Sequence, residues 1–106
     1  MLTVVETPTF QRTWPDYWSE DERGQFASYL ALTPDAGDVV PGSGGVRKIR
    51  WTRPGAGKRG GVRVVYFNRL ADGEVWLLLI YSKSVRDNVS AELLKLLKQE
   101  VNDAHD

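Results

Sequence analysis

Three stretches in the second half of the chain are rich in β-branched and aromatic residues: VRKIRWT from Val46, VRVVYFNR from Val62 and VWLLLIYSK from Val75. Strands that follow one another across short turns pair as antiparallel neighbours, so these three predict the body of one sheet. The first connection, RPGAGKRGG, is a Gly-rich charged turn, and the second, LADGE, carries the hairpin signal Asp72-Gly73. Within VRKIRWT the alternation puts Ile49 and Trp51 on one face and Lys48 and Arg50 on the other, as in a strand with one face on the core.

The first third of the chain reads differently. LTVVE, Leu2 to Glu6, predicts a short strand. Thr7 is a candidate N-cap with Pro8 at the first helical position, and Pro15 should end that short helix. In SEDERGQFASYLAL, Ser19 and Glu22 form a capping box, and the first-turn carboxylates suit the helix dipole. Phe26, Tyr29 and Leu30 recur at helical spacing on one apolar face until Thr33 and Pro34 stop the helix. PDAGDVVPGSGG reads as a loop, and SAELLKLLKQEV as a final amphipathic helix capped by Ser90. The expected order is β-α-α-β-β-β-α. This is an α+β fold in which a mainly antiparallel sheet of about four strands packs against two N-terminal helices and a C-terminal helix. At 106 residues, one domain spanning 1–106 is expected.

Several chemistries are excluded or poorly supported. Without cysteine there is no disulfide, thiolate nucleophile or Cys-ligated zinc, and the single histidine, His105, lies beside the C-terminus. Histidine-based nucleophile systems are thereby ruled out of the folded body, no metal site is expected, and no cofactor motif stands up. GAGKRGG lacks the spacing and the hydroxyl of a phosphate-binding loop and reads as a hairpin tip. No long apolar run or basic leader is visible, so the expected location is cytoplasmic, with no membrane partner.

Zero formal net charge conceals a separation. Residues 1 to 38 hold seven acids against two basic groups. Residues 39 to 71 hold Arg47, Lys48, Arg50, Arg53, Lys58, Arg59, Arg63 and Arg69, with no acid at all. Because several of these alternate with apolar residues on strands, they can converge on one face toward an anion. Arg63 stands inside an apolar strand, where a guanidinium needs either an anionic ligand or a salt bridge to an N-terminal acid. Tyr81 and Lys83 share a face near the end of the last strand. Tyr66 comes from its neighbour, and either tyrosine is equally readable as a core ring with a satisfied hydroxyl.

Cations and tyrosines without metal or histidine suit RNA cleavage. The ribose 2′-OH is an internal nucleophile, so the protein need only orient it, stabilise the phosphate charge and move protons. A lysine crowded by other cations has its pKa lowered and can serve as base.

The motifs GSGGVRKIRW, GAGKRGGVRVVYF and VWLLLIYSKS together resemble the RelE/HigB superfamily of toxins from bacterial type II toxin–antitoxin modules, the HigB-like branch in particular, over about residues 38 to 101. The resemblance implies a ribosome-dependent, metal-independent endoribonuclease, an mRNA interferase that enters the decoding site of the small ribosomal subunit and cuts translated mRNA. It also implies a tightly bound cognate antitoxin, usually a helix-turn-helix, HigA-like protein. Arg63 matches the family's phosphate-stabilising strand arginine. Lys48, Arg50, Lys58 and Arg59 match its variable basic group, and Lys83, with Tyr81 beside it, matches a basic position near the scissile phosphate. Arg47, Arg53 and Tyr66 complete the expected RNA-binding set. Some relatives use a C-terminal tyrosine as general base, but no tyrosine follows Tyr81 here; Lys83, Lys58 and Tyr81 remain the candidate bases. A non-catalytic RNA- or ribosome-binding inhibitor would use the same basic face; a further alternative is a degenerate toxin kept only as antitoxin partner, against which the complete basic set argues.

Overall fold

The computed structural model describes residues 2–52, 61–82 and 89–105. Strand β1 (Thr3–Glu6) leads to helix α1 (Pro8–Thr13), a 3-10 turn (Trp14–Asp16) and helix α2 (Glu20–Leu32). A two-residue strand β2 (Asp38–Val39) precedes β3 (Arg47–Trp51), β4 (Val62–Arg69), a second 3-10 turn (Leu70–Asp72), β5 (Glu74–Ser82) and helix α3 (Ala91–His105).

The local signals act as their chemistry requires. Thr7 accepts a hydrogen bond from the Phe10 N–H with Pro8 in the first turn of α1. Ser19 and Glu22 exchange both capping-box bonds (3.1 and 3.2 Å). At α3 the Leu93 N–H donates to Ser90 Oγ. The β4–β5 connection turns through Gly73 at φ 70°, in the left-handed region that favours glycine.

The sheet has five strands in the order β1-β5-β4-β3-β2, mixed rather than purely antiparallel. β3, β4 and β5 are antiparallel neighbours, as their short connections require, whereas β1 lies parallel to β5, pairing Thr3 with Glu74 and Glu6 with Leu77. The fifth strand, β2, falls inside PDAGDVVPGSGG, where Asp38 and Val39 pair with Lys48 and Arg47. Two residues are too few to show a strand period.

Helices cover both faces of the sheet. On one, Phe10, Trp18, Phe26 and Leu30 from the N-terminal part pack on Ile49, Val62, Val64, Tyr66, Leu77 and Ile80. On the other, Leu94, Leu97 and Val101 of α3 pack on Val65, Trp76, Leu78 and Tyr81. The continuous apolar run of β5 follows from this double burial. A bulge assists it: Val65 pairs with Leu79 and Tyr66 with Leu77, leaving Leu78 without a partner in register. Tyr29, expected on the buried stripe of α2, lies at its edge and is 40% exposed. Among the described residues no helix is long and apolar enough to cross a membrane.

Candidate functional site

Residues opposite one another across an antiparallel ladder project to the same face of the sheet, with Cβ atoms roughly 5 Å apart. Arg50 of β3 stands opposite Arg63 of β4, which stands opposite Tyr81 of β5. Three adjacent strands thus place two guanidinium groups and a phenol in one row. Lys48 lies two residues along β3 on that face, opposite Val65. Since Val65 and Tyr81 belong to the α3-side core, the row belongs to the face that α3 packs on.

Burial gives the row its chemistry. Arg50 is exposed, Lys48 and Arg63 are half-buried, and Tyr81 is 4% exposed. Arg63 Nη1 is buried and makes no hydrogen bond among the described residues. A buried guanidinium N–H left unmatched is costly, and an anion is the ligand that would satisfy it. The N-terminal acids do not supply it. Glu6 is held by Arg23 in a bidentate pair (2.6 and 2.7 Å), with the guanidinium 4.4 Å over the Trp14 ring. Glu20 also goes to Arg23, and Asp35 goes to Arg47. Two positive groups facing each other repel, so this geometry is well arranged for a group carrying negative charge between them.

The expectation that Arg47 and Tyr66 join this group meets a different placement. They stand opposite one another, on the other face of the sheet. Arg47 Nη1 donates to the Gly37 carbonyl (2.7 Å) and Nη2 lies 3.5 Å from the Asp35 carboxylate. Tyr66 has no exposed surface; its hydroxyl accepts from the Gly37 N–H and donates to the Pro34 carbonyl, both at 2.8 Å. Burial raises the phenol pKa above its ordinary value, and the Gly37 N–H and the Arg47 charge only partly offset this. The reason is parity: Arg63 and Tyr66 are three apart, and Arg47 is one residue from Lys48, so each falls on the face opposite to the row. Arg53, Lys58, Arg59 and Lys83 lie outside the described residues.

Gly61 has a local reason to be glycine. Its φ is 44°, and an added Cβ would stand 2.5 Å from both Thr52 Oγ1 and the Trp51 carbonyl oxygen. It closes the base of the β3–β4 connection two residues before Arg63.

No family model matches the chain. Among solved structures it is similar to the E. coli toxin RelE in the free state, a mutant with two arginines replaced by alanine. The TM-score is 0.63 at 12% identity, over 92% of this chain and 96% of that one. The fold is RelE-like. In this RelE-like fold the row Arg50, Arg63 and Tyr81 occupies the middle of the sheet, at the end where β3 stops and β4 begins. Among the described residues no three His, Asp or Glu side chains gather in a metal-holding group.

Proposed function

We propose that the chain is the single-domain toxin of a type II toxin–antitoxin module, a ribosome-dependent, metal-independent mRNA endoribonuclease of the HigB-like branch. The observation that carries the reading is the cross-strand row on a RelE-like sheet, with a buried Arg63 nitrogen awaiting an anion.

The row suits a scissile phosphate. A base removes the proton of the ribose 2′-OH, the 2′ oxygen attacks phosphorus, and the bond from phosphorus to the 5′ oxygen breaks. The departing oxygen takes up a proton, leaving a 2′,3′-cyclic phosphate and a 5′-OH end. Arg63 and Arg50 stabilise the charge that grows on the phosphoryl oxygens, an interaction stronger in the transition state than in the ground state. Lys48 holds the flanking backbone. The base is Lys83, Lys58 or Tyr81, of which only Tyr81 lies among the described residues, beside Arg63. Because RNA brings its own nucleophile, this chemistry calls for no metal and no organic cofactor.

The same reading assigns the partners: translated mRNA in the decoding site of the small ribosomal subunit, and a cognate antitoxin of the helix-turn-helix, HigA-like kind. The working compartment is then the cytoplasm.

The decisive experiment maps mRNA 5′ ends after induction of the chain alone, beside an Arg63→Ala control. New 5′-OH ends within translated codons, absent in the control, are expected. Growth arrest without new ends would replace the nuclease by a non-catalytic ribosome-binding inhibitor, and absence of arrest would favour a degenerate toxin.

A further inference from the structure

The end of β3 carries a second surface feature. Trp51, the residue after Arg50, is half-buried, and its ring packs against Phe26 (centroids 5.2 Å apart, planes at 83°) and Tyr29 (5.1 Å, 44°). Phe26 is fully buried and fixes the tryptophan from beneath. Tyr29, beside it, is 40% exposed, and Leu32, three residues further along α2, is 67% exposed. An aromatic pair held rigid on its inner side and open on its outer side loses little freedom when a flat ligand settles on it.

Charge indicates what that ligand is. Arg50 and Trp51 are consecutive, so the strand turns a cation to one face of the sheet and the indole to the other. No acid occurs in α2 after Glu22, seven residues or about 10 Å of helix before Tyr29. The α2 carboxylates are thus confined to the first turn, away from the ring pair. β2 pairs with β3 only at Arg47 and Lys48, so the exposed cation and the aromatic pair flank the two sides of the β3 edge, an arrangement that suits a single strand wrapping that edge, its phosphates on arginine and its bases stacked.

We infer that Tyr29 and Trp51 form a base-stacking ledge for single-stranded RNA, extending the path of the Arg63–Arg50 row around the sheet edge onto the α2 face. The inference rests on the RNA reading above. Stacking tolerates every base, so the ledge contributes grip and register and little sequence choice.

The test uses a single-stranded 2′-fluoro oligonucleotide containing 2-aminopurine, which lacks the 2′-OH and is not cleaved. Binding to the wild-type chain should quench the 2-aminopurine fluorescence. Trp51→Leu should weaken affinity about tenfold and abolish the quench, Trp51→Phe should restore most of both, and Tyr29→Ser should cost a few-fold. Tyr29 lies at the surface, so its variant keeps the fold and reports on the ledge even where Trp51→Leu does not fold. Unchanged affinity and quench in Tyr29→Ser, and in Trp51→Leu where it folds, with Arg63→Ala still weakened, would overturn the ledge and leave the RNA site standing. Unchanged affinity in Arg63→Ala as well would sink the RNA reading itself. Loss of antitoxin binding in Tyr29→Ser, with RNA binding intact, would also overturn the inference and assign the surface to a protein.

Discussion

β3 and β4 run side by side for five residue pairs, and the two ends of that ladder treat arginine in opposite ways. At one end Arg47 meets a carbonyl and a carboxylate, and its neighbour Tyr66 satisfies one N–H and one carbonyl of the loop before β2. At the other end Arg63 faces Arg50, and one of its nitrogens is buried with no acceptor among the described residues. The first arrangement ties a loop to a sheet. The second leaves a guanidinium nitrogen buried without an acceptor among the described residues, and on the proposed reading this is where the phosphate binds. Four cationic residues share β3 and the start of β4, and their partners sort them into these two kinds of work.

The comparison is broken most severely through Arg63. Arg63→Ala should lower mRNA cleavage on the order of a hundredfold, the loss typical of one transition-state donor. It should leave the melting temperature unchanged or slightly raised, since it removes a repelling charge from opposite Arg50. A large drop in melting temperature with cleavage intact would reverse the assignment.

Tyr66→Phe probes the other end. Deleting the hydroxyl strips the Gly37 N–H and the Pro34 carbonyl of a partner, so unfolding in urea should report a loss of about 1–3 kcal/mol while cleavage per folded molecule is kept. Tyr66 also sets a pH limit. Its folded-state pKa lies above the ordinary 10.0, so above that pH the unfolded chain binds fewer protons than the native one. The contribution of Tyr66 to stability is therefore fully present below the ordinary phenol pKa and is lost as pH rises through the raised folded-state value. Stability curves of Tyr66→Phe between pH 9 and 11 should lack that part of the decline. Smallest of all, Arg47→Ala should cost no more than about 1 kcal/mol, because its carboxylate partner is exposed. If cleavage fell as far as in Arg63→Ala, the division between the two ends would be wrong.

Much of this architecture was legible in the residues. Thr7-Pro8, the Ser19–Glu22 box and Asp72-Gly73 are local signals whose partners lie within a few positions, and each acts where it was read. The antiparallel order of β3, β4 and β5 follows from connection length alone. The parallel docking of β1 on β5 could not be read, since it joins Thr3 to Glu74 with no local trace. Nor could β2. Of the candidate site, strand parity already separates Lys48 and Arg50 from Arg47 on β3, and Arg63 from Tyr66 on β4. What sequence could not supply is register, because only the pairing of Arg63 with Arg50 and Tyr81 turns scattered residues into a row.

The place of β5 in the sheet also governs when this molecule exists. β5 lies between β1 and β4, accepts the Thr7 backbone bond at the Leu77 carbonyl and contributes Tyr81 to the row. A chain emerging N-terminus first therefore carries β1 without its pairing strand until residues 74–82 follow, and long-range pairing of this kind forms late. Nascent fragments ending before β5 lack the strand that β1 pairs with and the Tyr81 of the row, so the row is complete only after about three-quarters of the chain has been made.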